Sequence, residues 1–216
     1  MEEPFYICIG RQLGAGGLEI AGKLSAIFNI PVFDRELLIK ASIESGISPE
    51  FFENEDEQPV RKSRAGLFGA FHLFSFGFGY DPSSDMLSHE TLASIQNEVI
   101  RKAAAEGPAI FVGRCTDYLL REEKNAFSAF IVANDQDRVA RLRKAVKTDI
   151  YRSMNDEEIV EYMHRADRRR AEYYNFHTYK TWGAAESYDI CLSSSVFSTD
   201  KCAEIIAELA KSKFGR

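Results

Sequence analysis

The sequence has few cysteines, no excess of positive charge and no long hydrophobic run. Its four cysteines are scattered and form no C-x-x-C pair, so neither a disulfide framework nor a zinc site is expected. It contains 27 Lys and Arg against 33 Asp and Glu, a balance that disfavours proteins that coat nucleic acid or anionic membranes. No stretch of about 20 apolar residues is present, which excludes a membrane-spanning helix.

The remaining composition is that of a soluble globular protein. Hydrophobic residues make up 45% of the chain and charged residues 28%, and 216 residues suffice for one substantial domain. The N-terminal residues MEEPFYICIG begin acidic and lack the order of a signal peptide, so we expect a reducing, cytoplasmic location. Cys8 and Cys191 lie in apolar runs, and we predict both to be small core residues.

Short apolar runs alternate with segments of 3.6-residue periodicity along most of the chain. The runs predict strands at 5–9, 30–33, 109–113, 126–132 and 188–192, and the periodic segments predict helices at 20–28, 35–45, 84–106, 137–146, 156–174 and 199–213. Such alternation is typical of right-handed βαβ units. We therefore predict an α/β fold in which helices flank both faces of a parallel sheet.

Residues 51–90 interrupt this alternation. An acidic cluster and a short basic run precede GLFGAFHLFSFGFGY, at 66–80, which is rich in phenylalanine and glycine. A buried helix would not carry so many glycines, and the run is too short to cross a bilayer. Three interpretations stay open: an irregular flap packed on the core or on a second subunit, a mobile cover over a substrate, and a membrane-associated segment.

The junction between the first strand and the first helix, ICIGRQLGAGGLEIAGKL, is rich in glycine. Glycines there let backbone N–H groups approach an anion, and the helix N-terminus adds the positive end of its dipole. The P-loop pattern G-x-x-x-x-G-K-[ST] has the same context. Aligned on its second glycine, Gly16, the sequence departs from that pattern at three positions. Arg11 replaces the first glycine, Gly17 the lysine and Leu18 the hydroxyl residue.

This loop keeps the glycine cradle of a P-loop and lacks the lysine and the hydroxyl that contact phosphate and Mg²⁺. We predict that it binds phosphate through six residues: Arg11, Gly14, Ala15, Gly16, Gly17 and Leu18. The alternative interpretation is a tight glycine-rich turn that binds no ligand.

Several segments together resemble the cytidylate kinase-like family, a branch of the P-loop nucleoside monophosphate kinases. They follow one another in the family's order: GRQLGAGGLEIAGKLS, IPVFDRELL, IFVGRCTDYLL, DRRRAEYYNFHTYKTWG and YDICLSSS. The resemblance extends over nearly the whole chain. The family's loop has the form G-x-G-G without the usual lysine, and members commonly carry arginine after the double glycine, where this chain has Leu18.

The resemblance implies a single P-loop kinase-like domain over residues 1–216. It places a small insertion that binds a nucleoside monophosphate (NMP) at 45–90 and an arginine-rich, lid-like segment at 160–183. It also implies ATP and Mg²⁺ as cofactors and small-molecule nucleotides as ligands. We expect no nucleic-acid or membrane partner, and we leave a homodimer open.

Four residues are implied to bind the acceptor substrate. Asp34 and Arg35 follow the second strand, where related enzymes place an aspartate against the acceptor nucleotide; Asp34 is also a good helix N-cap. Arg114 matches the arginine of the family's Gly-Arg-Asp. Cys115 replaces the aspartate of that motif, and Asp117 is the candidate substitute.

The segment RADRRRAEYYNFHTYKTWG is strongly basic at its start, with four arginines against one aspartate between positions 165 and 170. Arginines three and four positions apart can share a helix face and converge on phosphate. Phosphoryl transfer depends mainly on positioning and on cations around the transferred group. We therefore predict a catalytic role for the four arginines of this segment, with a solvated helix face as the alternative: Arg165, Arg168, Arg169 and Arg170.

These observations predict an enzyme that phosphorylates a nucleoside monophosphate at the expense of ATP, with CMP or dCMP implied by the resemblance. The alternative is a nucleotide- or phosphate-binding protein without transfer activity, which the departures at Gly17, Leu18 and Cys115 favour. A kinase that acts on an acceptor other than a nucleotide is a third interpretation.

Overall fold

The computed structural model describes residues 4–34, 89–113, 115–145 and 150–215. The chain divides into two compact units, 1–34 together with 106–216, and 35–105. The predicted helix at 35–45, the phenylalanine- and glycine-rich run, and the site candidates Arg35 and Arg114 lie outside the described residues. The single domain, the insertion at 45–90 and the lid at 160–183 stay predictions.

The first unit contains a parallel sheet, as the alternating pattern predicted. Its described strands are β1 (Tyr6–Arg11), β2 (Val32–Phe33), β3 (Ala109–Val112), β4 (Ala126–Val132) and β5 (Ile190–Ser193). They pair in the order β2-β3-β1-β4-β5, and every pairing is parallel. The central strand β1 therefore ends between the carboxyl ends of β3 and β4, the edge where ligands bind in open α/β sheets.

Seven helices are described: α1 (Gly17–Phe28), α2 (His89–Glu106), α3 (Thr116–Leu119), α4 (Asp135–Lys144), α5 (Ile150–Ser153), α6 (Asp156–Thr178) and α7 (Thr199–Phe214). A 3₁₀ turn, Ala185–Ser187, precedes β5. All but the last residue of α2 belong to the second unit. The sequence did not predict α3, α5 or the 3₁₀ turn, because four residues or fewer are too short to show periodicity.

Side-chain caps mark the starts of α4 and α6. Asn134 accepts a hydrogen bond from the Asp137 amide at 2.8 Å, so α4 begins two residues before the predicted start. Asn155 and Glu158 form a reciprocal capping box that fixes the start of α6. These caps fix where α4 and α6 begin.

Alternate residues of the strands pack on opposite faces of the sheet. Ile7 and Ile9 of β1 pack with α1 and α7 in a core that also includes Leu24 and Ile206. On the other face, Phe130 of β4 packs against Tyr174 of α6. The prediction of helices on both faces is confirmed within the first unit.

The prediction that Cys191 is a core residue is wrong. Cys8 is buried, as expected, but Cys191 is exposed. The reason is the strand pleat: Leu192 points inward, so its neighbour on the edge strand β5 faces solvent. None of the described helices is both long and apolar enough to span a membrane.

Candidate phosphate-binding site

The turn between β1 and α1 is built on glycines with left-handed backbone geometry. Gly14 has φ 76° and Gly16, the N-cap of α1, has φ 83°, values that side-chain-bearing residues rarely adopt. The first four N–H groups of a helix have no intrahelical acceptor, and the helix dipole is positive at that end. The start of α1 therefore offers backbone donors to an anion.

A cavity of about 490 Å³ opens over this turn. It is lined by the loop, by the first turn of α1, by the last turn of α4 and by one residue of α6: Arg11, Gln12, Leu13, Gly14, Gly16, Gly17, Leu18, Glu19, Arg141, Leu142, Lys144, Ala145 and Arg170. Four cationic side chains and one carboxylate are in this set. The cavity is therefore electropositive as well as rich in backbone donors, a combination suited to polyphosphate.

A buried ion pair between Arg138 and Asp167 supports the loop. The Arg138 side chain, 2% exposed, donates from Nε to the Leu13 carbonyl at 2.7 Å and from Nη2 to the Asp167 carboxylate. The other Asp167 oxygen accepts from the Leu13 amide at 2.8 Å. Both backbone groups of Leu13 are thus fixed by side chains of α4 and α6.

Two further side chains hold the loop carbonyls that follow. Arg141 of α4 donates to the Gly14 carbonyl at 3.3 Å and to the Ser194 carbonyl at 2.9 Å. The Ser194 hydroxyl donates to the Ala15 carbonyl at 2.7 Å. Carbonyls of three successive loop residues, 13 to 15, are therefore engaged by α4 and by the residue after β5. The amides of Leu13 and Ala15 are also bonded within the protein, to Asp167 and to the Gln12 carbonyl, so the start of α1 is the part of this turn that offers donors to an anion.

The carboxylate in the cavity wall is neutralised by a network at the start of α7. Glu19 receives the Lys23 ammonium at 2.8 Å and the Thr199 hydroxyl at 2.6 Å. The same Lys23 ammonium lies 2.8 Å from Asp200. These contacts keep the pKa of Glu19 below and that of Lys23 above their ordinary values. The network fixes α1 to α7 beside the cavity.

The predicted loop residues are brought together, whereas the predicted arginines of α6 are divided. Arg11 and Arg170 line the same cavity, and Arg170 donates to the Arg11 carbonyl at 3.2 Å. The other three arginines, Arg165, Arg168 and Arg169, are exposed. Arg165 pairs at 4.0 Å with Glu161 on its own helix. Of the four arginines, Arg170 is therefore the one that contacts the loop. A catalytic role for any of them stays a prediction.

Arg138 and Arg141 were missed by the sequence analysis. They occur in DQDRVARLRK, where two arginines three positions apart lie on a helix that follows an apolar strand. That placement brings both side chains back to the carboxyl edge of the sheet, as it does for the residues after β1. A second basic run after a strand is the signal that could have identified them.

Two of the predicted acceptor-binding residues are described. Asp34 follows β2 and is half-buried. Asp117, in the short helix α3 after β3, accepts a hydrogen bond from the Tyr174 hydroxyl at 2.7 Å. Burial raises the pKa of Asp117 above the ordinary value of 3.8, and the hydrogen bond from Tyr174 offsets only part of that effect. Their role toward an acceptor stays a prediction.

The raised pKa of Asp117 makes stability depend on pH. Between pH 3.8 and the raised value, the folded protein holds a proton that the unfolded chain has lost, so stability falls as pH rises through this window. We expect this fall to be absent in Asp117→Asn, whose amide oxygen still accepts a hydrogen bond from Tyr174.

Urea unfolding across roughly pH 4 to 7 measures the free energy of unfolding of both proteins. Glu208→Gln, at an exposed position in α7, is the control. Parallel profiles for wild type and Asp117→Asn contradict the prediction.

The sequence matches a family model over most of its length. The model described as the cytidylate kinase-like family matches residues 6–196, which include the loop, α4 and α6. Among curated proteins, none matches the sequence significantly.

Solved structures show the same fold. An uncharacterized protein from Eubacterium ventriosum has a TM-score of 0.69 at 23% identity, with 96% of this chain and 99% of that chain covered. A shikimate kinase from Bacteroides thetaiotaomicron has a TM-score of 0.55 at 14% identity, with 98% and 99% covered. A gluconokinase from Sinorhizobium meliloti has a TM-score of 0.51 at 9% identity, with 100% and 94% covered. At these identities the likeness shows the fold alone.

Proposed function

Since this chain belongs to the cytidylate kinase-like family, we propose that it transfers a phosphoryl group from ATP to a nucleoside monophosphate, with CMP or dCMP as the acceptor. The observation that carries the proposal is the glycine loop at the start of α1. Its left-handed Gly14 and Gly16 expose backbone donors to a cavity that Arg141 and Arg170 also line. The fold that it shares with kinases supports the same reaction class.

The residues of the cavity act by position and charge. The loop amides and the N-terminus of α1 would hold the donor phosphates, and Arg170 would offset charge that develops on the transferred group. The acceptor of such a reaction is a phosphate that is already anionic, so no general base is needed. Asp34, Arg35, Arg114 and Asp117 are proposed to orient the acceptor at the carboxyl ends of β2 and β3.

Mg²⁺ fits the described residues poorly as a protein-held ion. The hydroxyl that a P-loop offers to the metal is replaced by Leu18. Glu19, the carboxylate that lines the cavity, is engaged by Lys23 and Thr199. Nowhere in the described part of the chain do three or more His, Cys, Asp or Glu gather as metal ligands. A magnesium ion that accompanies ATP would be coordinated by phosphates and water, as this ion often is.

The alternative is a protein that binds nucleotide without transferring phosphate. Its supporting observation is the side chain at the hydroxyl position, since Leu18 is apolar and 55% exposed at the cavity. A binding protein needs the amide cradle and the surrounding arginines, and it does not need a metal-ligating hydroxyl.

A coupled assay of ADP release separates these functions. The purified chain is supplied with ATP and Mg²⁺ and with CMP, dCMP, UMP or AMP in turn, and shikimate and gluconate serve as non-nucleotide acceptors. We expect ADP release that depends on the acceptor and is fastest with CMP or dCMP. Calorimetric titration with a non-hydrolysable ATP analogue measures binding alongside.

Each outcome assigns one function. ATP-analogue binding without turnover of any acceptor supports the binding protein and overturns the kinase. Turnover with shikimate or gluconate alone retains a kinase and overturns the nucleotide acceptor.

A further inference from the structure

Gly17 occupies the position at which a P-loop has its lysine. The space beside Gly17 is filled by the side chain of Arg11, at the other end of the loop. A Cβ atom placed on Gly17 would lie 2.8 Å from Arg11 Cβ and 2.9 Å from Arg11 Cγ. Non-bonded carbon atoms at that separation overlap, since their optimal distance is about 3.5–4.0 Å. The stem of Arg11 therefore runs through the space where a side chain at position 17 would begin.

The guanidinium of Arg11 continues from the loop to the end of β3. A Cβ atom placed on Gly113 would overlap Arg11 Nη1 and lie 3.1 Å from Cζ. Gly113 has φ 82° and directly follows β3, so it combines a left-handed turn with an open face for this side chain. Arg11 thus reaches from the phosphate loop to the strand end where the acceptor residues are proposed.

Two other cations, Lys144 and Arg170, also line the cavity, whereas three cations near the loop hold the scaffold. Lys23 is bound to Glu19 and Asp200, both at 2.8 Å. Arg138 is buried against Asp167, and Arg141 donates to two carbonyl groups. Apart from its own helix and chain neighbours, the three heavy atoms nearest to a Cβ placed on Gly17 all belong to Arg11.

We propose that Arg11 supplies the phosphate-binding cation that the loop lysine supplies in other P-loops. Two departures from the motif then form one exchange: an arginine at the first glycine position replaces the lysine, and a glycine at the lysine position makes room for it. A guanidinium is always charged and can donate two parallel hydrogen bonds to phosphate. This inference deepens the proposed function and rests on it for the identity of the ligand.

The exchange predicts that the two positions are coupled, and a double-mutant cycle tests it. Arg11→Gly removes the cation, and we expect ATP affinity to fall about 10- to 100-fold, the range for losing a charged hydrogen bond. Gly17→Lys alone also weakens binding, because the new side chain overlaps the Arg11 stem. In Arg11→Gly/Gly17→Lys the lysine has both the space and the position of a standard P-loop, so most of the affinity returns.

Binding is measured by calorimetry with ATP and with inorganic tripolyphosphate, so the readout does not depend on turnover. Arg11→Gln keeps the stem without the charge, in case the glycine variant folds poorly, and Arg11→Lys restores the charge. The matched control is Arg121→Gln. It removes a surface arginine two residues after α3 that pairs with Glu122, and it is expected to bind as wild type does. Thermal unfolding verifies that each variant is folded.

Two results would overturn the inference, and both are binding measurements that do not depend on turnover. If Arg11→Gln binds tripolyphosphate as tightly as wild type, Arg11 is not the cation. If Gly17→Lys binds as well as or better than wild type, the two positions do not compete for one space. If wild type turns over no acceptor, the proposed function fails while these binding measurements still decide the role of Arg11.

Discussion

Replacing Arg138 with alanine is expected to lower the free energy of unfolding by about 3–5 kcal/mol, the usual cost of removing one partner from a buried ion pair. The guanidinium is 2% exposed and contacts the Leu13 carbonyl, Asp167 and, at 3.2 Å, Asp135. Its loss leaves the Asp167 carboxylate, 8% exposed, with the Leu13 amide and a more distant Arg170 at 3.8 Å. A buried charge with so few partners is costly.

Urea unfolding of wild type and Arg138→Ala measures this loss. The control is Arg165→Ala on α6, whose side chain is 53% exposed and pairs with Glu161 at 4.0 Å; we expect it to cost less than about 1 kcal/mol. Arg138→Lys keeps the charge and not the fork of donors, so it should lie between the two. Equal stability of Arg138→Ala and Arg165→Ala contradicts the account of the loop support.

The elements of the fold could be predicted because their signals are local. The strand 126–132 was predicted at its observed bounds, since seven largely apolar residues between turns are interpretable without knowledge of the rest of the chain. The glycines of the loop were likewise identified from adjacent positions. The prediction was wrong where burial depends on a neighbouring element. Cys191 is exposed because β5 lies at the edge of the sheet.

The support of the candidate site could not be predicted, because its contacts are distant in sequence. Asp167 lies 154 positions from Leu13, and Arg138 lies 125 positions from the same residue. Helical spacing indicates which arginines of α6 can share a face, but the direction of that face depends on the packing of the helix. The crowding between Arg11 and Gly17 is equally invisible in sequence, where they are only two separate departures from a motif.

Replacing Arg170 with glutamine is expected to lower kcat about 100-fold, the scale of losing one charge-stabilising donor. Among the four arginines predicted for catalysis it is the one that lines the cavity, with its side chain 14% exposed. Its Nη1 donates to the Arg11 carbonyl, and it pairs with Asp167 at 3.8 Å, so the guanidinium is held in place. Glutamine keeps much of the stem and removes the charge.

Steady-state kinetics with ATP and CMP measure kcat and KM separately. A role toward the transferred group lowers kcat more than it raises the KM for ATP, whereas a role confined to ground-state binding does the opposite. Arg152→Gln, exposed on α5, is the control for loss of one surface charge. Arg168→Gln and Arg169→Gln provide the decisive comparison, because their side chains are exposed on the same helix. A loss at Arg170 no larger than at these two positions would assign the catalytic cations to the exposed face of α6 instead.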